Sequence, residues 1–204
     1  MRAKSKAEEQ KRKILVVAAK LFHKKGYSNT SIDEIADRLR FNKATIYYYF
    51  QDKSHILFDV MCSALEGYIR RARAENSESH NIPEKMKALV KLHVSYETTA
   101  TSMAGISHFE LRNLPRKLAE PYIAKRGEYE RVFRSLLKEG IAKGYFRDGF
   151  DPAITARFIL GLINSITIWY RSSGRLSAEQ IGELAWEFVV RAIATDAGLI
   201  LSTK

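Results

Sequence analysis

A single cysteine, Cys62, leaves this chain without an internal disulfide or a thiolate cluster, which suits a reducing cytosol. Only four prolines and eleven glycines interrupt 204 residues, so there are few breakers of regular structure. The longest uncharged run, Phe158 to Tyr170, is thirteen residues, whereas a membrane-spanning helix needs about twenty. The N-terminal MRAKSKAEEQKRK holds no apolar stretch that would read as a signal peptide. A soluble cytoplasmic protein with no membrane partner is therefore expected.

Spacings that carry chemistry are also missing. The five histidines, at 23, 55, 80, 93 and 108, include no pair at i, i+4 and no E-x-x-H, so zinc and di-iron ligand sets are absent from the sequence. No P-loop, Rossmann glycine pattern or G-x-S-x-G occurs. A catalytic reading could rest only on His93 with Glu97, or on His108 with Glu110. Such pairs are far more often packed or solvated, so no enzyme activity, no metal and no cofactor are expected.

What is present begins with charge. Residues 1 to 56 hold 13 lysines and arginines against 6 acidic residues, so most of the net +11 sits in the first quarter of the chain. Such a footprint suits nucleic acid. The same quarter contains the segment Asn42 to Lys53, NKATIYYYFQDK. Ile46, Tyr49 and Phe50 recur at i, i+3 and i+4 and would turn inward on a helix. Lys43, Ala44, Thr45, Tyr47 and Tyr48 would face out with no carboxylate among them. Amines and hydroxyls donate to phosphate oxygens, and a small residue lets a backbone approach base edges.

The flanking sequence completes a motif. A basic arm, Arg2 to Lys13, leads into a first helix expected from Ala7 to Lys25, with Gly26 ending it in the left-handed conformation. Ser31 with Glu34 has the form of a capping box, and Ile32, Ile35, Ala36 and Leu39 give a short amphipathic second helix. Asn42 is a suitable N-cap for the tyrosine-rich helix, and Asp52 for a fourth helix beginning at Lys53. Helix, tight turn, helix is the unit whose second helix enters a major groove.

From Ile14 to Val60, ILVVAAKLFHKKGYSNTSIDEIADRLRFNKATIYYYFQDKSHILFDV resembles the N-terminal DNA-binding domain of the TetR family of bacterial transcriptional regulators. The resemblance implies an all-α homodimer that represses at a palindromic operator and lets go when a small molecule fills the C-terminal domain. It further implies base-facing roles for Lys43, Ala44 and Tyr48, and phosphate contacts by Ser31, Thr45, Tyr47, Tyr49 and Lys53. Two positions depart from the family pattern. Arg40 stands where glycine is usual and Asn42 where serine or threonine is usual; an arginine in a left-handed turn costs on the order of 1 kcal/mol relative to glycine.

Beyond residue 56 the sequence reads as a helical effector-binding and dimerisation domain, residues 57–204, making about nine helices in all. Pro83 marks the start of a fifth helix, a short sixth is expected near Met103 to Leu111, and a long one from Arg116 to Lys143. Asp151-Pro152 opens another helix, expected to reach Arg171, and Ser177 with Gln180 caps the last. Both of these helices are apolar on more than one side, as burial against both the chain's own domain and a second copy requires. The dimer interface is expected on Phe158, Leu162, Ile166, Trp186, Val190 and Ile193.

Effector contacts are expected from Tyr68, His93, Tyr96, Met103, His108, Tyr129, Phe133 and Trp169, with Tyr122 near them, lining an apolar space with a few polar tips. The later pattern, ELRNLPRKLAEPYIAKRGEYERVF through GLINSITIWYRSSGRLS, is similar to TetR-family regulators of fatty-acid and steroid degradation that sense acyl-CoA thioesters. That resemblance implies phosphate contacts by Arg112, Arg116, Lys117, Arg126 and Arg134. The competing readings are a helical-bundle enzyme, a lipid-binding protein with no DNA role, and an RNA-binding module; the deep RNA groove disfavours the last.

Overall fold

The computed structural model describes residues 2–77, 81–98, 106 and 109–202. Among them the regular elements are helical: α1 Arg2–Lys25, α2 Ile32–Leu39, α3 Lys43–Tyr49, α4 Lys53–Ser77, α5 Ile82–Glu97, a 3-10 turn Leu111–Asn113, α6 Arg116–Ala142, α7 Pro152–Asn164, α8 Ile166–Trp169, α9 Ala178–Ile193 and α10 Asp196–Ser202. The expected all-α class is the observed one. The chain divides into two compact units, Met1–Leu65 with Thr101–Lys125, and Glu66–Ala100 with Arg126–Lys204. This division differs from a boundary at residue 56, because α4 and α6 each run from one unit into the other.

In the first unit, Ile14, Ala18 and Phe22 of α1 bury with Ile35, Ile46, Phe50 and Leu57. α1 starts five residues earlier than periodicity predicts, since the basic arm holds no proline or glycine to stop a helix. Gly26 ends it at φ +83°, as expected. Ser31 Oγ accepts the Glu34 amide at 3.1 Å, but the capping box is only half formed, because the Glu34 carboxylate pairs with Lys25 instead of reaching back. A charged partner outbids a backbone amide.

The second unit is built on α5, which packs against α7, α8, α9 and α10. Asn81 and Glu84 form a full capping box at its start, with Pro83 in the first turn. α7 is opened by Asp151, whose Oδ1 takes the amides of Ala153 and Ile154 at 2.7 and 2.9 Å. The helix expected to continue to Arg171 is interrupted at Ser165. The hydroxyl there donates to the Leu162 carbonyl at 2.7 Å, a back-bond that bends helices. Ser177 and Gln180 make the predicted capping box of α9. α10 was not foreseen; Thr195 Oγ1 accepts the Gly198 amide at 3.2 Å at its start. The predicted sixth helix falls mostly outside the described residues.

By length and composition Pro152–Trp169 could cross a membrane, with mean hydropathy 1.3 and 22% of the stretch buried. The expectation that no stretch is long enough counted Arg157 as an end. In the fold the stretch is two helices, α7 and α8, and Arg157 Nε meets Glu130 at 3.4 Å.

Candidate DNA-binding and effector sites

The tyrosine-rich helix is held by its apolar side. Ile46 and Phe50 are buried, Thr45 and Tyr49 half-buried, and Ser31, Lys43 and Ala44 exposed. Tyr48 is 80% and Tyr47 47% exposed, so two phenols stand clear of the protein. Tyr48 meets the ring of Tyr49 edge-on at 5.0 Å, which restricts its rotamers without covering its hydroxyl face. Asn42 Oδ1 caps the helix by accepting the Ala44 amide at 3.0 Å. Its asparagine thus serves where the family pattern has serine or threonine.

Two basic side chains assigned to DNA by the sequence are engaged within the protein. Lys43 Nζ pairs with Asp33 at 2.8 Å on the surface. Such an exposed, solvent-screened pair yields readily to phosphate. Lys53 is held more firmly. Its ammonium donates to the carbonyls of Tyr27 at 2.9 Å and Thr30 at 2.7 Å and lies 4.3 Å over the Tyr27 ring. Burial pushes its pKa down. The turn between α1 and α2 is closed by the Thr30 amide on the Tyr27 carbonyl at 3.1 Å, and the lysine gives that carbonyl a second donor and the Thr30 carbonyl one as well. The same turn is fastened by Glu110, whose Oε1 accepts the Tyr27 amide at 3.1 Å. Glu110 was considered only as a partner for His108.

The start of α4 is likewise closed to a phosphate. Asp52 Oδ1 accepts the Ser54 amide at 2.8 Å, the His55 amide at 3.0 Å and the Ser54 hydroxyl, and meets His55 Nδ1 at 2.9 Å. Burial alone would raise its pKa, but these donors from Ser54 and His55 outweigh it and hold the carboxyl well below the usual range.

In the second unit, five of the expected effector residues converge. Tyr68 from α4, His93 and Tyr96 from α5, and Tyr129 and Phe133 from α6 form one aromatic cluster. Tyr68 lies 3.7 Å from the Tyr96 ring centroid and 5.9 Å from those of His93 and Tyr129, and Tyr129 lies 5.4 Å from Phe133. At its centre the buried His93 meets Tyr129 Oη at 3.0 Å through Nδ1, and through Nε2 Asn164 Oδ1 at 2.9 Å and Glu97 Oε1 at 3.2 Å. The Nε2–H tautomer fits all three contacts, donating to Asn164 and Glu97 and accepting from the phenol at Nδ1. Burial, reinforced by the nearby Glu97 carboxylate, pushes the Tyr129 pKa up and keeps that phenol a donor. Glu97 and Asn164 complete the knot. Glu97, one turn from His93, was legible in the sequence; Asn164, 71 residues away, was not.

Trp169 is 54% exposed at the end of α8, and Arg126 is exposed on α6. Tyr122 is buried in the first unit. Met103 and His108 lie outside the described residues. Of the bases proposed for coenzyme A phosphates, Arg112, Arg116 and Lys117 are exposed and Arg134 is half-buried; Arg116 pairs with Glu120 at 2.6 Å.

The family model of the tetracyclin repressor-like C-terminal domain matches residues 79–193, more than half the chain, and that of the tetR family of bacterial regulatory proteins matches residues 14–60. The chain belongs to the TetR family. It is 25% identical over 198 residues to the HTH-type transcriptional repressor KstR2 of Mycobacterium tuberculosis, covering 96% of this chain and 98% of that protein. It is 24% identical over 181 residues to the fatty acid metabolism regulator protein of Bacillus subtilis, covering 88% and 93%. The crystal structure of AibR with isovaleryl coenzyme A and operator DNA superposes with a TM-score of 0.79 at 26% identity, over 87% of this chain and 96% of that one. A TetR-family chain is a transcriptional regulator rather than an enzyme, and α2, the Arg40–Asn42 turn and α3 are its helix-turn-helix.

This TetR-family member also carries an uncovered apolar face. Phe158 is 74% and Phe188 66% exposed, and Ile154, Leu162 and Leu184 share the exposure on α7 and α9. A groove of about 330 Å³ runs between Phe150, Ile154, Phe158, Leu162 and Phe188. Four of the six expected interface residues are corrected. Ile166, Trp186, Val190 and Ile193 are buried inside the chain's own unit. α9 has two apolar stripes, and the one with Trp186, Val189, Val190 and Ile193 faces inward.

Proposed function

We propose that this chain is a homodimeric DNA-binding repressor that leaves its operator when a small hydrophobic effector, an acyl-CoA being the leading class, occupies its C-terminal unit. The observation that carries the DNA role is the exposed Lys43, Ala44, Tyr47 and Tyr48 surface of α3 in a helix-turn-helix. A repressor and an acyl-CoA effector are supported by two relatives, the transcriptional repressor KstR2 and AibR, whose crystal structure holds isovaleryl coenzyme A and operator DNA. Operation in the cytoplasm follows from the same reading. The aromatic knot around His93 offers what such a site uses, an apolar wall with a hydrogen-bonding centre.

Dimerisation is the second component. The faces of α7 and α9 that expose Phe158, Leu162, Leu184 and Phe188 pair with their symmetry mates as a four-helix bundle, covering about 1,600 Å² in total. Two reading helices about 34 Å apart then meet successive major grooves on one side of a duplex. α4 is a continuous connection from the Asp52 cap to Tyr68 in the effector cluster. An effector that prefers the arrangement unable to fit DNA by tenfold per site biases the equilibrium by about 1.4 kcal/mol.

The test is a gel shift with the promoter region beside the protein's own coding sequence, with and without a panel of acyl-CoA esters. Retarded duplex that is released by one ester is the expected result. Retardation indifferent to every ester would remove the acyl-CoA component, and no retardation would remove the DNA role.

A further inference from the structure

The helix-turn-helix from Ser31 to Lys53 contains four basic side chains, Arg38, Arg40, Lys43 and Lys53. Lys53 is turned onto the carbonyls of Tyr27 and Thr30, and Lys43 onto Asp33. Elsewhere in the first unit Lys11 pairs with Asp59 at 2.6 Å, Lys13 with Glu9 at 2.8 Å, and Lys25 with Glu34. Much of the positive charge near the motif is therefore committed before any duplex arrives. Arg40 is exposed and has no ion pair or side-chain hydrogen bond among the described residues.

Arg40 is also the only non-glycine residue with positive φ among the described ones, at φ 54° and ψ 40°. Its backbone amide closes α2 by donating to Ala36 and Asp37 carbonyls, a task any residue performs, and its side chain takes no part. Glycine or asparagine would adopt this conformation with less strain. An arginine here thus spends stability without an internal contact in return, at the corner from which Phe41 and Asn42 lead into α3. Strain of this kind clusters where a side chain meets a ligand.

We infer that Arg40 is a phosphate-binding and positioning residue of the DNA interface, its guanidinium taking a backbone phosphate beside the groove that α3 enters. A fork of guanidinium donors on a fixed left-handed corner would set the register of α3 on the duplex, while Tyr47 and Tyr48 face the groove. The inference rests on the DNA-binding role proposed above.

The full-length protein first selects a duplex from a random-sequence library. Affinity for that duplex is then measured across a range of salt for wild type, Arg40→Gly, Arg40→Asn and Arg40→Lys, with the melting temperature of each. Expected are a loss of about tenfold or more in Arg40→Gly and Arg40→Asn, and a salt dependence shallower by about one ion per protomer. Both variants should melt at the same temperature as wild type or a few degrees above it, and Arg40→Lys, which keeps the charge but not the fork, should keep the salt slope while losing part of the affinity. A purely structural role predicts the opposite, since glycine and asparagine fit the turn better and would bind as well as wild type. Unchanged affinity and salt slope in both would overturn the inference while leaving the DNA role intact. Failure of the wild type to select any duplex would overturn both.

Discussion

At the scale of single residues, the proposed recognition surface consists of exposed hydroxyl and amine groups on a helix anchored by the buried Ile46 and Phe50. Tyr47 is the clearest case, because α3 holds its backbone through the buried Ile46 while its phenol stays accessible. Tyr47→Phe removes only the hydroxyl and should weaken operator binding by about 1 kcal/mol, roughly fivefold, if that hydroxyl meets a phosphate. Adding Lys43→Ala should deepen the loss and flatten the salt dependence. Fluorescence anisotropy on the selected duplex measures both, and undiminished affinity in the double variant would contradict the assigned reading face. Lys53 shows the limit of reasoning at this scale. Its position matches a phosphate contact by motif, yet the carbonyls of Tyr27 and Thr30 in the turn after α1 take up the ammonium.

At the scale of elements, caps decide where helices begin, and most were visible as residue types at fixed offsets. Ser31, Asn42, Asp52, Asp151 and Ser177 all accept the amides that their spacing predicts. Asp52 carries a pH consequence. Its folded pKa is lowered, so its charge stabilises the native state above the unfolded value of about 3.9 and that contribution fades as pH falls toward the folded value. Asp52→Ala should cost about 1 kcal/mol at pH 7, less any screening at this half-exposed site. The gap between variant and wild type should narrow on going from pH 5 to pH 3. Urea unfolding at the two pH values checks the sign; a gap that widens in acid would refute it.

At the scale of the whole molecule, the uncovered face of α7 and α9 bears on whether one reading helix becomes two. Phe158→Asp with Phe188→Asp places charges on the exposed stripe without touching the buried Trp186, Val190 or Ile193. Light scattering at micromolar concentration should report a dimer for wild type and a monomer for this variant. The monomer should retain its helical content and lose nearly all operator affinity. A variant that stayed dimeric would move the interface elsewhere.

Local chemistry was enough to specify most of the helices, the caps at Ser31, Asn42, Asp52, Asp151 and Ser177, and the exposed phenols, because each depends on residues within four positions of one another; the break at Ser165 and α10 were not legible that way. Tertiary structure alone decided three matters: which stripe of α9 turns inward, that Asn164 meets His93, and that Lys53 faces the turn after Gly26. Periodicity gives a face its polarity but not its partner, and when both stripes of a helix are apolar, only the tertiary packing settles the choice. Contacts such as His93 with Asn164 or Tyr27 with Glu110 join positions 71 and 83 residues apart, where no spacing rule operates.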